Sequence, residues 1–160
     1  YAFATLHWQA AGHSETVIGI LWAEGVVAEV VLFAAGPAVL RRWSPAALIV
    51  LAGAAGIARW AAMAASAALP VLVLAQALHA FTFGAAHLGA IHFIARHVSP
   101  AVSASAQSLY SATVMGLGIG LAVFAVGPLY AASPSGAFLA MTVLSALAIF
   151  PALALMRARD

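Results

Sequence analysis

The chain has 160 residues, of which 66% are hydrophobic and 6% charged, with six Lys or Arg, four Asp or Glu and a formal net charge of +2. A soluble domain carries about 25% charged residues, and so few charges cannot wet a water-soluble surface, so the composition specifies an integral membrane protein. The cations are all arginines, scattered singly or as one pair, which excludes a nucleic-acid-binding patch, and the absence of cysteine excludes disulfides and thiolate metal sites.

A helix needs about 20 apolar residues to cross a bilayer. The opening YAFATLHWQAAG, residues 1–12, is only roughly 18 Å of helix and is too short to span. It reads as the outer end of a helix whose first half is missing. Five full tracts follow, at 16–40, 45–68, 70–96, 100–127 and 134–156. Ser44-Pro45, Ser99-Pro100 and Ser133-Pro134 each offer a serine N-cap with proline at the first helical position. Gly36-Pro37 and Gly127-Pro128 are expected to kink or end their helices. The Ala112, Gly116, Gly120 stripe through GLGIG is expected to be a close helix-packing face; no strand precedes it, so it is not a nucleotide loop. The fold class that follows is all-α integral membrane. One domain over 1–160 holds five full transmembrane helices and a partial one, joined by short loops.

Orientation follows from the arginines. Arg41 and Arg42, Arg96 with His97, and Arg157 with Arg159 all fall on one side of such a bundle. The other side carries His13 and Glu15 and no arginine. By the positive-inside rule the arginine side, and with it the C-terminus, is expected to be cytoplasmic.

Inside the spans remain Glu24, Glu29, Arg59, His79, His87 and His92. Ionisable groups at that depth mark a pathway or relay by default. Taking each tract's centre as the midplane, Glu24, Arg59 and His79 lie roughly 4–6 Å toward the outer side, with Glu29 near the centre and His87 roughly 6 Å toward the inner side. At about 100° per residue, Phe83 and His87 each fall within roughly 20° of Gln76, with His79 about 60° away. Trp22, Gly25 and Glu29 share a stripe, while Glu24 lies about 140° from Glu29. Both glutamates therefore cannot face one cavity, and one is expected to meet Arg59. Glu29 and Gln76 are expected to face an open groove. His92 points to nearly the opposite face and reads as structural. Trp8, Trp22 and Trp60 read as packing or interface anchors rather than ligand contacts, although Trp22 shares the stripe of Glu29.

The segments HWQAAGHS, LWAEGVVAEVVLF, the RRW turn, GIARWAAMA, QALHAFTFGAAHLGA and QSLYSA, in that order, resemble the phenylpropionate-permease-like family of the major facilitator superfamily. The resemblance covers nearly the whole chain. It implies the C-terminal six-helix half of a twelve-helix transporter, beginning partway through the seventh helix. The family is also similar to lactose-permease-type proton symporters. There a glutamate, an arginine, and a histidine followed three residues later by a glutamate sit on successive helices and carry substrate and proton. Glu29 or Glu24, Arg59, and His79 or His87 match the first three roles. The fourth is absent, because Thr82 follows His79 and Ala90 follows His87 at that spacing. The proton carrier is then Glu29, Glu24 or a histidine, with Glu29 favoured.

The expected function is secondary active transport in a bacterial inner membrane, as proton-coupled symport of a small organic solute. The pathway residues are Glu24, Glu29, Arg59, Gln76, His79, His87 and Trp22, with no catalytic residue, metal or cofactor. Its partners are the bilayer, protons, the solute and the missing N-terminal half. An anionic aromatic acid suits Arg59, with Phe81, Phe83 or Trp22 against its ring; a sugar or nucleoside would use Gln76, His79 and the glutamates. A competing reading is an intramembrane metal or haem protein using His79, His87 and His92. Their spacing departs from the i, i+4 pattern of helical metal ligands. A homodimeric half-transporter is a further alternative, against which the incomplete first helix counts.

Overall fold

The computed structural model describes residues 2–157, with side chains from residue 3, so Arg159 lies outside the described residues. These residues form helices and no strand. α1 (Ala2–Ala10) is nine residues long, too short to cross a membrane. It closes through His13 N–H bonded to Trp8 O at 3.1 Å and Gly12 N–H to Gln9 O at 2.9 Å, with Gly12 at φ +87°. That is the left-handed helix stop that glycine adopts without a Cβ penalty. α2 (Glu15–Ala34) follows, its Ser14 cap accepting from Val17 N–H at 3.3 Å. The chain breaks at Ala35 and restarts as the short α3 (Gly36–Arg42), with Pro37 in the first turn where its missing N–H costs nothing.

The other spans are α4 (Pro45–Ala65), α5 (Leu69–His97), α6 (Pro100–Ala132) and α7 (Pro134–Arg157); with α2, these make five helices long and apolar enough to cross a membrane. Ser44 and Ser133 cap α4 and α7, accepting from Ala47 and Gly136 N–H at 3.1 Å each. Ser99 makes no such side-chain bond. Gly127-Pro128 does not end its helix. α6 runs on through Pro128 and stops at Ser133, whose backbone turns extended while its N–H bonds Leu129 O at 2.8 Å. Two spans contain a π-helical stretch, Ala80–Ala85 in α5 and Ala112–Gly118 in α6.

The broadest contact in the bundle is α4 along α7, and α4 also packs on α5, which in turn meets α2. Small residues allow the approach: a Cβ on Gly56 would come within 2.6 Å of Ser145 Oγ on α7. Trp8, Ile18, Leu21, Met63, Leu72 and Phe138 form an apolar cluster that ties α1 to α2, α4, α5 and α7. α6 is peripheral, with no buried residue along its length. The expected packing stripe is therefore not one here, since a Cβ on Gly116 or Gly120 would meet nothing within 4 Å. Both glycines face away from α5 and α7. Val26, Val27, Val30 and Val31 on α2, with Leu117, Leu121 and Phe124 on α6, are exposed, as expected of a surface turned to hydrocarbon.

Two glycines separate packing from propensity. A Cβ on Gly89 would lie 2.6 Å from Pro45 O and 3.0 Å from Ile49 Cγ1, whereas one on Gly19 would meet nothing within 4 Å. In the full-length protein, Gly89→Ala should lose about 1–3 kcal/mol through overpacking at α4–α5. Gly19→Ala should be neutral or gain about 0.5–1 kcal/mol of helix propensity. Thermal unfolding in detergent reads both, and equal midpoints for the two variants would refute the close α4–α5 contact.

Candidate functional site

A guanidinium cannot be neutralised inside an apolar bundle, so its donors must find acceptors. Arg59, on α4, is 5% exposed, and α5 supplies those acceptors. Its Nη1 donates to His79 Nδ1 at 2.9 Å and to Thr82 Oγ1 at 3.1 Å, and its Nη2 donates to Gln76 Oε1 at 2.9 Å. Gln76, His79 and Thr82 succeed one another at three-residue intervals, which brings them to one flank of α5. The guanidinium carbon also lies 4.7 Å from the centre of the Trp60 ring.

Each acceptor is itself held. Gln76 is fully buried and spends its amide N–H on Leu21 O of α2 at 3.0 Å. Thr82 Oγ1 donates to His79 O at 3.2 Å. His79 Nε2 meets Glu29 Oε1 of α2 at 2.5 Å. These contacts fix the imidazole tautomer. A guanidinium has no lone pair to offer, so Nδ1 is the acceptor, and the ring proton sits on Nε2, donating to the Glu29 carboxylate. Gly25 makes the approach of α2 possible, because a Cβ there would fall 3.2 Å from Gln76 Nε2 and 3.4 Å from His79 Cδ2.

Arg59, His79, Thr82 and Ser145 give polar groups to the wall of a mainly apolar cavity of about 470 Å³ between α1, α2, α4, α5, α6 and α7. Trp22, Trp60, Phe83, Tyr130 and Phe138 supply its aromatic surface. Trp22 donates its indole N–H to Thr5 Oγ1 at 3.1 Å and stacks obliquely on Trp8. A second aromatic feature runs down α5. The rings of His79 and Phe83 stack with centres 5.8 Å apart, and Phe83 and His87 stack 6.0 Å apart. Phe33 and Tyr110 close on His87 from α2 and α6. Its Nδ1 is buried with no hydrogen-bond partner among the described residues.

Of the residues singled out in the sequence, the structure joins Glu29, His79, Arg59 and Gln76 into one chain and puts Trp22 on the adjoining cavity. His87 stands apart, in the aromatic stack. Glu24 has no hydrogen-bond or ion-pair partner among the described residues. Gln76 does not face an open groove; it is a buried strut between Arg59 and α2. His92 bonds locally to Leu88 O at 2.9 Å. No three or more His, Asp or Glu side chains converge to hold a metal among the described residues. Thr82 was visible in the sequence only as a missing acid, although its position one turn after His79 was a usable signal.

A family model described as the MFS_1 like family matches residues 1–151. The chain is 38% identical over 150 residues to a protein of Escherichia coli (strain K12) described as "Probable 3-phenylpropionic acid transporter". The match covers 94% of this chain and 39% of that protein, so the chain spans well under half of its relative's length. No solved structure matches the chain.

Removing the guanidinium strands the Glu29 carboxylate and leaves the acceptors of His79, Thr82 and Gln76 without their donor. Arg59→Ala should therefore cost the full-length protein about 3–5 kcal/mol of stability. Arg59→Lys should fall between that variant and the wild type, because an ammonium cannot reproduce the planar fork. A thermal midpoint for Arg59→Ala equal to the wild type would show that the cluster does not depend on the arginine.

Proposed function

The chain belongs to the MFS_1 like family, and on that premise we propose that it is the C-terminal half of a proton-coupled symporter for a small aromatic carboxylate. An N-terminal half of the same protein would supply the rest of the solute path. The observation that carries this reading is a buried cation on the wall of an aromatic-lined cavity, tied through one imidazole to a carboxylate. Arg59 offers the solute carboxylate a counter-charge, and the cavity's aromatic side chains offer its ring a surface. Ligand sites of about 300–1,000 Å³ are typical of small molecules. The relative's description names 3-phenylpropionic acid, a molecule of this class. A sugar or nucleoside fits less well, because the Gln76 amide is already committed at both ends.

The Glu29–His79 pair is the proton-carrying unit in this reading. Histidine titrates near neutral pH. Rocking of the two transporter halves changes which side of the membrane reaches such a pair, and this couples protonation to the direction of opening. The positive-inside rule supports a cytoplasmic side for the arginine-bearing helix ends and the C-terminus, and the bacterial relative supports an inner-membrane location.

Two measurements test the reading. Proteoliposomes holding the full-length protein should accumulate 3-phenylpropionate when the outside is made acidic, and a protonophore should abolish this. Uptake indifferent to the pH gradient would reject proton coupling, and uptake by this chain expressed alone would favour the homodimer instead. Single cysteines at positions 42 and 98 should label from the cytoplasm, and those at 13 and 133 from outside; labelling of position 42 from outside would invert the topology.

A further inference from the structure

Symport needs a point where solute and proton each change what the other can do. Most of the cluster does not provide one. The Glu29–His79 contact can persist whichever group holds a proton, because a protonated carboxyl still has an oxygen that accepts from Nε2–H. Gln76 holds Nη2 from a fully buried position, and Thr82 can only share hydrogens. His79 Nδ1 is different. It has a single lone pair, and Arg59 Nη1–H occupies it at 2.9 Å. A proton and the guanidinium cannot both use that lone pair.

We propose that His79 Nδ1 is the contested site of the symport cycle. Arg59 holds it in the conformation seen here, and it takes the co-transported proton when a solute carboxylate draws Arg59 away. This assignment rests on the symport reading above and moves the proton from Glu29, the carrier favoured on sequence, to the imidazole. The two hydrogens of Nη1 go to His79 and Thr82. A carboxylate oxygen that accepts from Nη1 must displace one of them. Anchored at Nη2 by Gln76, the guanidinium can turn its Nη1 edge from Nδ1 toward the cavity.

The steps balance without covalent chemistry on the solute. One N–H···N hydrogen bond breaks and one N–H···O⁻ bond forms at Nη1. A hydronium from the open side then gives a proton to Nδ1 and leaves as water. The imidazolium keeps its Nε2–H bond to Glu29, so the site holds two ion pairs, Arg59 with solute and His79 with Glu29. Solute anion and proton enter together with no net charge. Other titratable groups are few. From α2 Glu29 faces His79, with Glu24 on another flank; α4 presents Arg59; α5 itself carries His87 beyond Phe83. The cavity wall adds Tyr130 of α6, no titratable side chain of α7, and His7 of α1 lies behind Phe138.

The test uses detergent-purified full-length protein with 3-phenylpropionate as the probe. In weakly buffered solution an indicator dye should report uptake of about one proton per bound molecule by the wild type. The ¹⁵N resonance of His79 Nδ1, assigned in the unliganded wild type through its hydrogen-bond coupling to Arg59 Nη1, should change on binding from the unprotonated to the protonated type. His79→Asn keeps an acceptor for Arg59 that cannot be protonated, so it should still bind while proton uptake disappears. Proton uptake that survives in His79→Asn rejects the assignment. The wild-type resonance decides the matter even if that variant does not fold. Binding with pH-driven accumulation but an unchanged Nδ1 rejects this assignment alone. Binding without such accumulation rejects the symport reading, and no binding rejects both.

Discussion

A guanidinium that stays charged inside a bundle of apolar helices dictates the arrangement around it. Burying an unpaired charge costs several kcal/mol, so the helices that touch Arg59 are placed by what they offer it. α5 contributes three acceptors from one flank, and α2 contributes the balancing carboxylate through His79. Gln76 then locks α2 to the same point by donating to Leu21 O, which is why α2 carries a glycine where it crosses α5. Close packing and charge compensation here are one constraint, because a side chain at position 25 would push Glu29 away from the imidazole.

Much of this could be read in the sequence. Apolar tracts of spanning length, punctuated by Ser-Pro pairs, located all five long helices. The stripe of Trp22, Gly25 and Glu29 on an ideal helix became three real contacts: a cavity wall, a crossing point and an imidazole partner. Estimated depth brought Arg59 and His79 to one layer with little more than helix rise. Depth alone also put Glu24 in that layer, and there it was misleading. Helical phase, which set Glu24 about 140° from Glu29, decided between them.

What the sequence hid depends on local helix geometry and on partners that lie far along the chain. The phase argument grouped Gln76 with Phe83 and His87 because it assumed an unbroken α-helix. The π turn at Ala80–Ala85 falls between them, and π turns of this kind concentrate at functional sites. Gln76 and His79, which precede the π turn, meet at Arg59, while Phe83 and His87 continue from His79 as an aromatic stack. The glycines of α6 showed the reverse error. Small residues permit close packing without requiring it, and the surface that Gly116 and Gly120 would pack against is not supplied by α5 or α7.

The hydroxyl at position 82 shows why a missing acid need not be a missing function. A carboxylate there would attract Arg59 Nη1 with a full charge and compete with Nδ1 of His79 for it. A threonine accepts from Nη1 only as a neutral partner and returns its own hydrogen to His79 O. The stronger electrostatic demand on the guanidinium then comes from Glu29, and it is felt through the imidazole. The two ends of this chain of contacts also differ in surroundings: the Glu29 side chain is 16% exposed, whereas Arg59 is buried on the wall of the aromatic cavity. In the proposed symport cycle, the ring that joins these two ends is the one that cannot satisfy an arginine and a proton at once.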